Sequence, residues 1–319
     1  MNILIIGYSA IVKKRVLPAL KKIEYIRRTD IASRSSAPDL LAEAAYNGTV
    51  FNDYADAISR SNADLVYISL VNSSHAEWAE QALRRGCHVI VDKPAFTSIN
   101  DVRKLTDLAR ARGLCLAEAT VYAWHPQIQM ARDIFLQGET HPTRLTVSFS
   151  FPPLAADNFR YQKHLGGGAL WDLGPYAVSP GRLFFDDEPD EVFCRVGTRN
   201  PATGVDTSFS LLATYPGGRS MVGHFDFNTE YRNCINILGP GMSVDIDRFF
   251  TPPSDMENEL NVRSKNQTKS IKMPPTDSFA VFLQSVFDAI KQNRYQVFMQ
   301  NLLSDATVLH RLRKAAQEE

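Results

Sequence analysis

Closely spaced cysteines are absent from this chain. The four it has, Cys87, Cys115, Cys194 and Cys234, form no CxxC pair, which excludes a local zinc or dithiol motif. Cys87 and Cys115 stand in apolar runs and read as small core residues of a protein kept reduced. Net charge is absent too: Lys+Arg and Asp+Glu both count 35, so no overall field steers the molecule to nucleic acid or an anionic membrane. No apolar run reaches membrane-spanning length. The apolar start MNILIIGYSAIV has no basic flank and meets Gly7, so it reads as a strand rather than a signal peptide. The expectation is a cytoplasmic protein with no metal, nucleic-acid or membrane partner. What remains is 44% hydrophobic and 22% charged over 319 residues, an ordinary globular composition at a length that suits two domains.

Strand and helix patterns alternate through the first part. The apolar runs NILII (2–6), DLVYISL (64–70), CHVIVD and LCLAEATV, with YIRRTDIAS, read as parallel strands. Between them lie helical patterns: IVKKRVLPALKKI, APDLLAEAAYN, ADAISRS, HAEWAEQALRRG and INDVRKLTDLARARG. This repetition predicts a doubly wound Rossmann domain over 1–122. Beyond Tyr122 strands follow one another without helices between them, in EVFCRVG, SFSLLATY, SMVGHFDF, INILG and MSVDI. They predict an α+β domain over 123–319 with a mainly antiparallel open sheet. Residues 251–276 are polar and proline-bearing and read as a long loop; helices over 277–292 and 301–316 close the chain.

In a doubly wound sheet, ligands bind at the carboxyl ends of the strands. After the first strand the fingerprint GxGxxG is reduced to GYSAIV, with Gly7 kept and Ser9 in the second glycine place. Ser9 is small enough for a pyrophosphate to approach, and its hydroxyl can donate to one. After the second strand Ser33 and Arg34 replace the acid that holds an NAD ribose, which suits a 2′-phosphate and hence NADP(H), with NAD(H) as the alternative. Asn72 to His75 open a helix beside that site. Asp92-Lys93-Pro94 ends the strand CHVIVD; it reads either as a structural pair or as a lysine that stabilises a developing alkoxide. In the second domain GGGALWDLGPY opens a helix on bare glycines. Asp172 and Tyr176, four apart, are expected to share its face. A carboxylate beside a phenol can move a proton, although an amphipathic helix with an ordinary packed tyrosine has the same spelling.

GYSAIVKKRVLPAL, ASR, VNSSHAEWAEQALRRGCHVIVDKP, EATVYAWHP and FRYQKHLGGGALWDLGPY together resemble the glucose–fructose oxidoreductase / inositol dehydrogenase / rhizopine-catabolism (Gfo/Idh/MocA) family over about the first 185 residues. The resemblance implies that Lys93 is the active-site lysine. Many members carry histidine four residues after the helix aspartate; Tyr176 stands there, as in the subgroup with dihydrodiol dehydrogenases and nucleotide-sugar 3-ketoreductases. It further implies cofactor contacts from Gly7, Ser9, Ala10, Ile11, Ser33, Arg34, Leu70, Asn72, His75, Asp92, Lys93 and Pro94. Substrate contacts would come from Tyr122, Arg160, Asp172 and Tyr176, with Tyr176, Lys93 and Asp172 catalytic. The implied activity is NADP(H)-dependent ketone reduction on a nucleotide-linked deoxysugar. Oxidation of a free sugar or trans-dihydrodiol, or a non-catalytic sensor, are the alternatives. The alternating Phe149, Phe151, Phe225 and Phe227 are expected on an uncovered sheet face that joins copies into a homodimer or homotetramer.

Overall fold

The computed structural model describes residues 1–34 and 47–317, and the chain divides into two compact units. The first holds β1 (Asn2–Ile6), β2 (Arg28–Ala32), β3 (Val50–Phe51), β4 (Leu65–Ile68), β5 (His88–Val91) and β6 (Leu116–Glu118). All six are parallel, in the order β3-β2-β1-β4-β5-β6. Past Asn2 and His88 at their starts, β1, β4 and β5 are apolar and buried on both faces of the sheet. The two residues of β3 are too few to show a period in the sequence. The helix expected over 37–47 lies, but for its last residue, outside the described residues.

Local chemistry sets the helix ends. A π-helical turn, Val12–Val16, runs into α1 (Leu17–Leu20), with Pro18 in its first turn. Asp53 caps α2 (Tyr54–Arg60) by accepting the Asp56 N–H. α3 (His75–Arg85) stops on left-handed Gly86, and Ser98 caps α4 (Ile99–Ala111). The strand order reverses between β1 and β4, which opens a crevice at their carboxyl ends.

The second unit contains α5 (Pro126–Gln137), β7 (Arg144–Ser150), α6 (Ala169–Asp172) and α7 (Gly174–Phe185). Seven strands follow: β8 (Glu191–Val196), β9 (Ser208–Tyr215), β10 (Arg219–Asp226), β11 (Arg232–Gly239), β12 (Met242–Asp247), β13 (Asn258–Ser264) and β14 (Gln267–Met273). With β7 they form an eight-stranded sheet, β14-β13-β12-β11-β7-β10-β9-β8, antiparallel except where β7 meets β10. β13 and β14 correct the loop expected over 251–276. NELNVRS turns Leu260 and Val262 inward. Lys265 and Asn266, both at positive φ, make the two-residue turn. β14 is a solvated edge strand, and its lysines and hydroxyls hid it in the sequence.

A second correction concerns the phenylalanines. Phe149, Phe225 and Phe227 are buried in the unit's own core with residues of α5 and α7, and Phe151 packs on that core. The opposite sheet face carries Phe193, Leu212 and Val222 in register across β8, β9 and β10, each 39% or more exposed. After β14 the chain continues as α8 (Ser278–Lys291) and α9 (Gln296–Ala315). Residues 279–303, assigned by their position in the sequence to the second domain, pack with the first unit, and only 304 onward returns to the second. Long-range bonds fix this: Tyr25 donates its hydroxyl to Asp288 at 3.0 Å, and Tyr295 donates to the Gly113 carbonyl at 2.5 Å.

Candidate active site

In the first unit the turn after β1 crowds the chain after β4. A Cβ on Gly7 would sit 2.0 Å from the Ser69 carbonyl oxygen, and Gly7 has φ +95°, so only glycine fits. The helical segment then begins at Ala10 and Ile11, both exposed, which presents a helix N-terminus to an anion. A narrow glycine turn leading to an exposed helix start fits the pyrophosphate of a dinucleotide. Ser9 faces sideways instead: its Oγ lies 2.8 Å from Ser69 Oγ and accepts the Val12 N–H at 3.1 Å.

At the end of β2 Ser33 is buried, with its N–H bonded to the Phe51 carbonyl. Arg34 is exposed. Its guanidinium lies over the Tyr54 ring at 4.4 Å and the Trp78 ring at 5.3 Å. The Asp53 carboxylate stands 3.4 Å from it. An acid does reach this position, from the α2 cap rather than from the strand end. Arg34 offers a planar cation for a 2′-phosphate, with Asp53 competing for it.

The end of β5 is anchored from three sides. The Asp92 carboxylate accepts the Tyr67 hydroxyl at 2.5 Å and the Ser69 hydroxyl on its other oxygen. Burial raises its pKa, and those two bonds together with the charges of His75 and Lys93 oppose the rise. Glu118, at the end of β6, accepts the Ala95 N–H at 2.8 Å and the Thr120 hydroxyl at 2.6 Å. Lys93, half-buried, sits between these anchors and is joined to Pro94 by a cis peptide. His75 is fully enclosed. Its Nδ1 faces the carbonyls of Pro94 and Ala95 at 3.0 and 3.2 Å, and its Nε2 faces that of Leu70 at 3.1 Å. Burial lowers its pKa against the pull of Asp92 and those carbonyls. It is a bracket between the segments after β4 and β5, not a surface contact for a cofactor. Asn72 is likewise buried, in the short 3₁₀ turn that leads into α3.

In the second unit Asp172 and Tyr176 do not share one unbroken helix. α6 ends at Asp172 and α7 begins at Gly174, with Pro175 in its first turn. The Tyr176 N–H goes to the Leu173 carbonyl at 3.0 Å. Proline has no N–H to continue the first helix and suits the first turn of a new one. Pro180 lies inside α7 without ending it. The buried Asp172 carboxylate accepts Arg160 Nε at 2.8 Å. Burial works to lower the Arg160 pKa, and Asp172 overrides it, so the guanidinium is held charged. Tyr176, half-buried, is gripped by Tyr122, Phe149 and Phe250, with ring centroids at 5.7, 5.1 and 4.9 Å. Tyr122, expected to touch substrate, is 0% exposed. Ser179 donates to the Pro175 carbonyl at 2.5 Å, so the Tyr122 hydroxyl, 2.5 Å away, donates to Ser179. Tyr122 therefore supports Tyr176 from behind.

The sequence reading passed over Tyr67, Ser69, Glu118 and Asp206. Asp206 is buried and holds the start of α6: its carboxylate accepts the Leu170 N–H at 2.7 Å and its carbonyl the Ala169 N–H at 2.9 Å. Gly168, at φ +121°, leaves room for it, since a Cβ there would lie 2.3 Å from Asp206 Oδ1. Ser69 sits one residue past β4, a position the strand-end rule covers; nothing local marks Asp206. Among the described residues no group of three or more His, Cys, Asp or Glu is placed to hold a metal, and no helix is long and apolar enough to cross a membrane.

A family model described as "Oxidoreductase family, NAD-binding Rossmann fold" matches residues 1–120, and one described as "GFO/IDH/MocA C-terminal domain" matches 129–244. A dTDP-3,4-didehydro-2,6-dideoxy-alpha-D-glucose 3-reductase from Streptomyces violaceoruber is 32% identical over 92% of this chain and 86% of its own length. The D-xylose 1-dehydrogenase (NADP(+)) 2 of Haloferax volcanii is 30% identical over 86% of this chain and 84% of its own. A solved 3-ketoreductase from Actinomadura kijaniata, in complex with NADP and TDP-benzene, superposes with a TM-score of 0.91 at 28% identity, covering 99% of this chain and 98% of that one.

Proposed function

The chain belongs to the Gfo/Idh/MocA family of oxidoreductases, and from that premise we propose that it uses NADP(H) to reduce a ketone on a nucleotide-linked deoxysugar. The observation that carries this is Tyr176, caged by three aromatic rings beside the Arg160–Asp172 pair. The near full-length likeness to named 3-reductases supports it.

The turn at Gly7 and the exposed start at Ala10–Ile11 would hold the pyrophosphate, and Arg34 the 2′-phosphate. When bound, the reduced nicotinamide supplies a hydride to the carbonyl carbon. Negative charge then grows on the carbonyl oxygen. In this reading Tyr176 gives that oxygen a proton, and the Lys93 charge stabilises it. Asp172, held in place by its bond from Arg160, accepts a neighbouring sugar hydroxyl and orients the ring. Each group has one task, and atoms balance: one hydride and one proton turn ketone into alcohol. The cytoplasm is the compartment this chemistry implies.

The test is NADPH consumption against a panel of nucleotide-linked keto-sugars, with Tyr176→Phe beside the wild type. A general acid contributes about 10²–10⁴-fold, so kcat is expected to fall by that factor while NADPH binding holds. Near wild-type turnover in Tyr176→Phe would falsify the assignment. Oxidation of a free sugar is the second reading, favoured by the D-xylose dehydrogenase relative; turnover of free sugars with NADP⁺, and of no keto-sugar, selects it. We also propose a homo-oligomer joined through the exposed sheet face of Phe193, Leu212 and Val222. A monomer in light scattering at micromolar concentration contradicts that.

A further inference from the structure

Ser9 stands where a dinucleotide turn would carry its second glycine, so a direct bond to a phosphate is the obvious role for its hydroxyl. The direction of the protons points elsewhere. Tyr67 donates to one oxygen of Asp92, and Ser69 donates to the other. The single Ser69 proton is then committed, so its oxygen is the acceptor in the 2.8 Å contact with Ser9. The Ser9 proton is committed in turn, and its oxygen also receives the Val12 N–H at 3.1 Å. A directed line results, from Val12 through Ser9 and Ser69 to Asp92, in which each hydroxyl gives one proton and receives one. Hydroxyls in such a row strengthen one another. Ser69, at 3% exposure, is shielded from competing water.

The line begins in the turn after β1 and ends on the residue next to Lys93. We infer that Ser9 is a positioning residue that acts through Ser69 and Asp92 to set the cofactor turn and Lys93 in one arrangement, and that it makes no bond to a phosphate. Phosphate contact is left to backbone at the helix start, where Ala10 and Ile11 are exposed. The inference rests on the role given to Lys93 under the proposed function.

The experiment compares Ser9→Ala, Ser69→Ala and the double variant. NADPH affinity is read by fluorescence titration without substrate, and kcat with a keto-sugar the wild type reduces. The expected result for Ser9→Ala is an NADPH Kd within twofold of wild type and a kcat lowered about fivefold, the scale of one lost hydrogen bond. The double variant is expected to fall no further than the worse single, because both cut the same line. A tenfold weaker Kd with kcat unchanged makes Ser9 a phosphate ligand and overturns the inference. So does an unchanged kcat with an unchanged Kd, or single effects that multiply. If Ser69→Ala does not fold, the Kd-against-kcat split of Ser9→Ala decides alone. If the wild type reduces no keto-sugar, the proposed function fails by itself. The affinity arm still decides where the Ser9 hydroxyl goes: an unchanged Kd upholds the absence of a phosphate bond, and a tenfold loss overturns the inference.

Discussion

Removing the Asp206 carboxylate tests whether the site in the second unit is held from outside its own helix. Asp206 reaches the start of α6 across the 36 residues that separate it from Leu170, and it is 5% exposed. Asp206→Ala deletes a charge-assisted bond of 2.7 Å to the Leu170 N–H, which is itself buried. Such a bond contributes about 1.5–3 kcal/mol, and an amide left buried without it lies at the upper end. The bond from Ala169 N–H to the residue 206 carbonyl survives, because it is backbone. The expected loss is therefore about 2–3 kcal/mol for Asp206→Ala and about 1 kcal/mol for Asp206→Asn, which keeps an acceptor. Asp172 follows the same turn, with its N–H on the Gly168 carbonyl at 2.9 Å. Loosening that turn should lower kcat and leave NADPH affinity within about twofold, since the contacts proposed for the cofactor are made by residues of the first unit. Urea unfolding followed by tryptophan fluorescence, with Trp171 inside α6, measures the first quantity. An unfolding free energy for Asp206→Ala within about 0.5 kcal/mol of wild type, the scale of an ordinary surface substitution, would refute the reasoning.

Arg34→Ala should weaken NADPH about tenfold or more and spare NADH, since a charge-assisted bond is lost only from the 2′-phosphate; equal losses for both nucleotides in parallel titrations contradict it. Asp53→Asn keeps the α2 cap acceptor but frees Arg34 from its carboxylate, so NADPH should bind more tightly, and unchanged or weaker binding counts against the competition. Tyr122→Phe retains the ring against Tyr176 and should keep kcat within about threefold, whereas Tyr122→Ala opens the cage and costs about 3–5 kcal/mol of stability in thermal unfolding. His125 is buried, and burial lowers its pKa to about 4. An unfolded histidine protonates near 6.5, so below that pH the unfolded chain binds a proton that the native ring refuses. Native stability is thus fully present above about pH 6.5 and falls by up to about 3 kcal/mol as pH drops toward 4. His125→Asn, which keeps a cap acceptor for the Gln127 N–H, should flatten that slope in urea midpoints measured at pH 7 and 4.5; an unaltered slope removes His125 as its source.

What the sequence by itself determined was whatever repeats or is local. Apolar runs ending in glycine, proline or a cap residue located the parallel strands, and strand-end positions brought Gly7, Ser9, Arg34, Asp92 and Lys93 to one side of one sheet. The triple glycine located Asp172 and Tyr176. Tertiary structure decided what depends on a partner distant in the chain. β14 is a strand only because β13 pairs with it, and its exposed edge needs no apolar pattern. Residues 279–303 join the first unit through Tyr25 and Gly113, which no local pattern near them announces. Phe149 and Phe225 alternate identically whichever face is covered, and packing alone put them inside. The same holds at the site. A tyrosine at 122 reads as a substrate contact until burial and Ser179 claim its hydroxyl, and a serine at 9 reads as a phosphate donor until Ser69 takes its proton. Hydrogen-bond direction follows from which groups meet in space, and a one-dimensional pattern carries none of that.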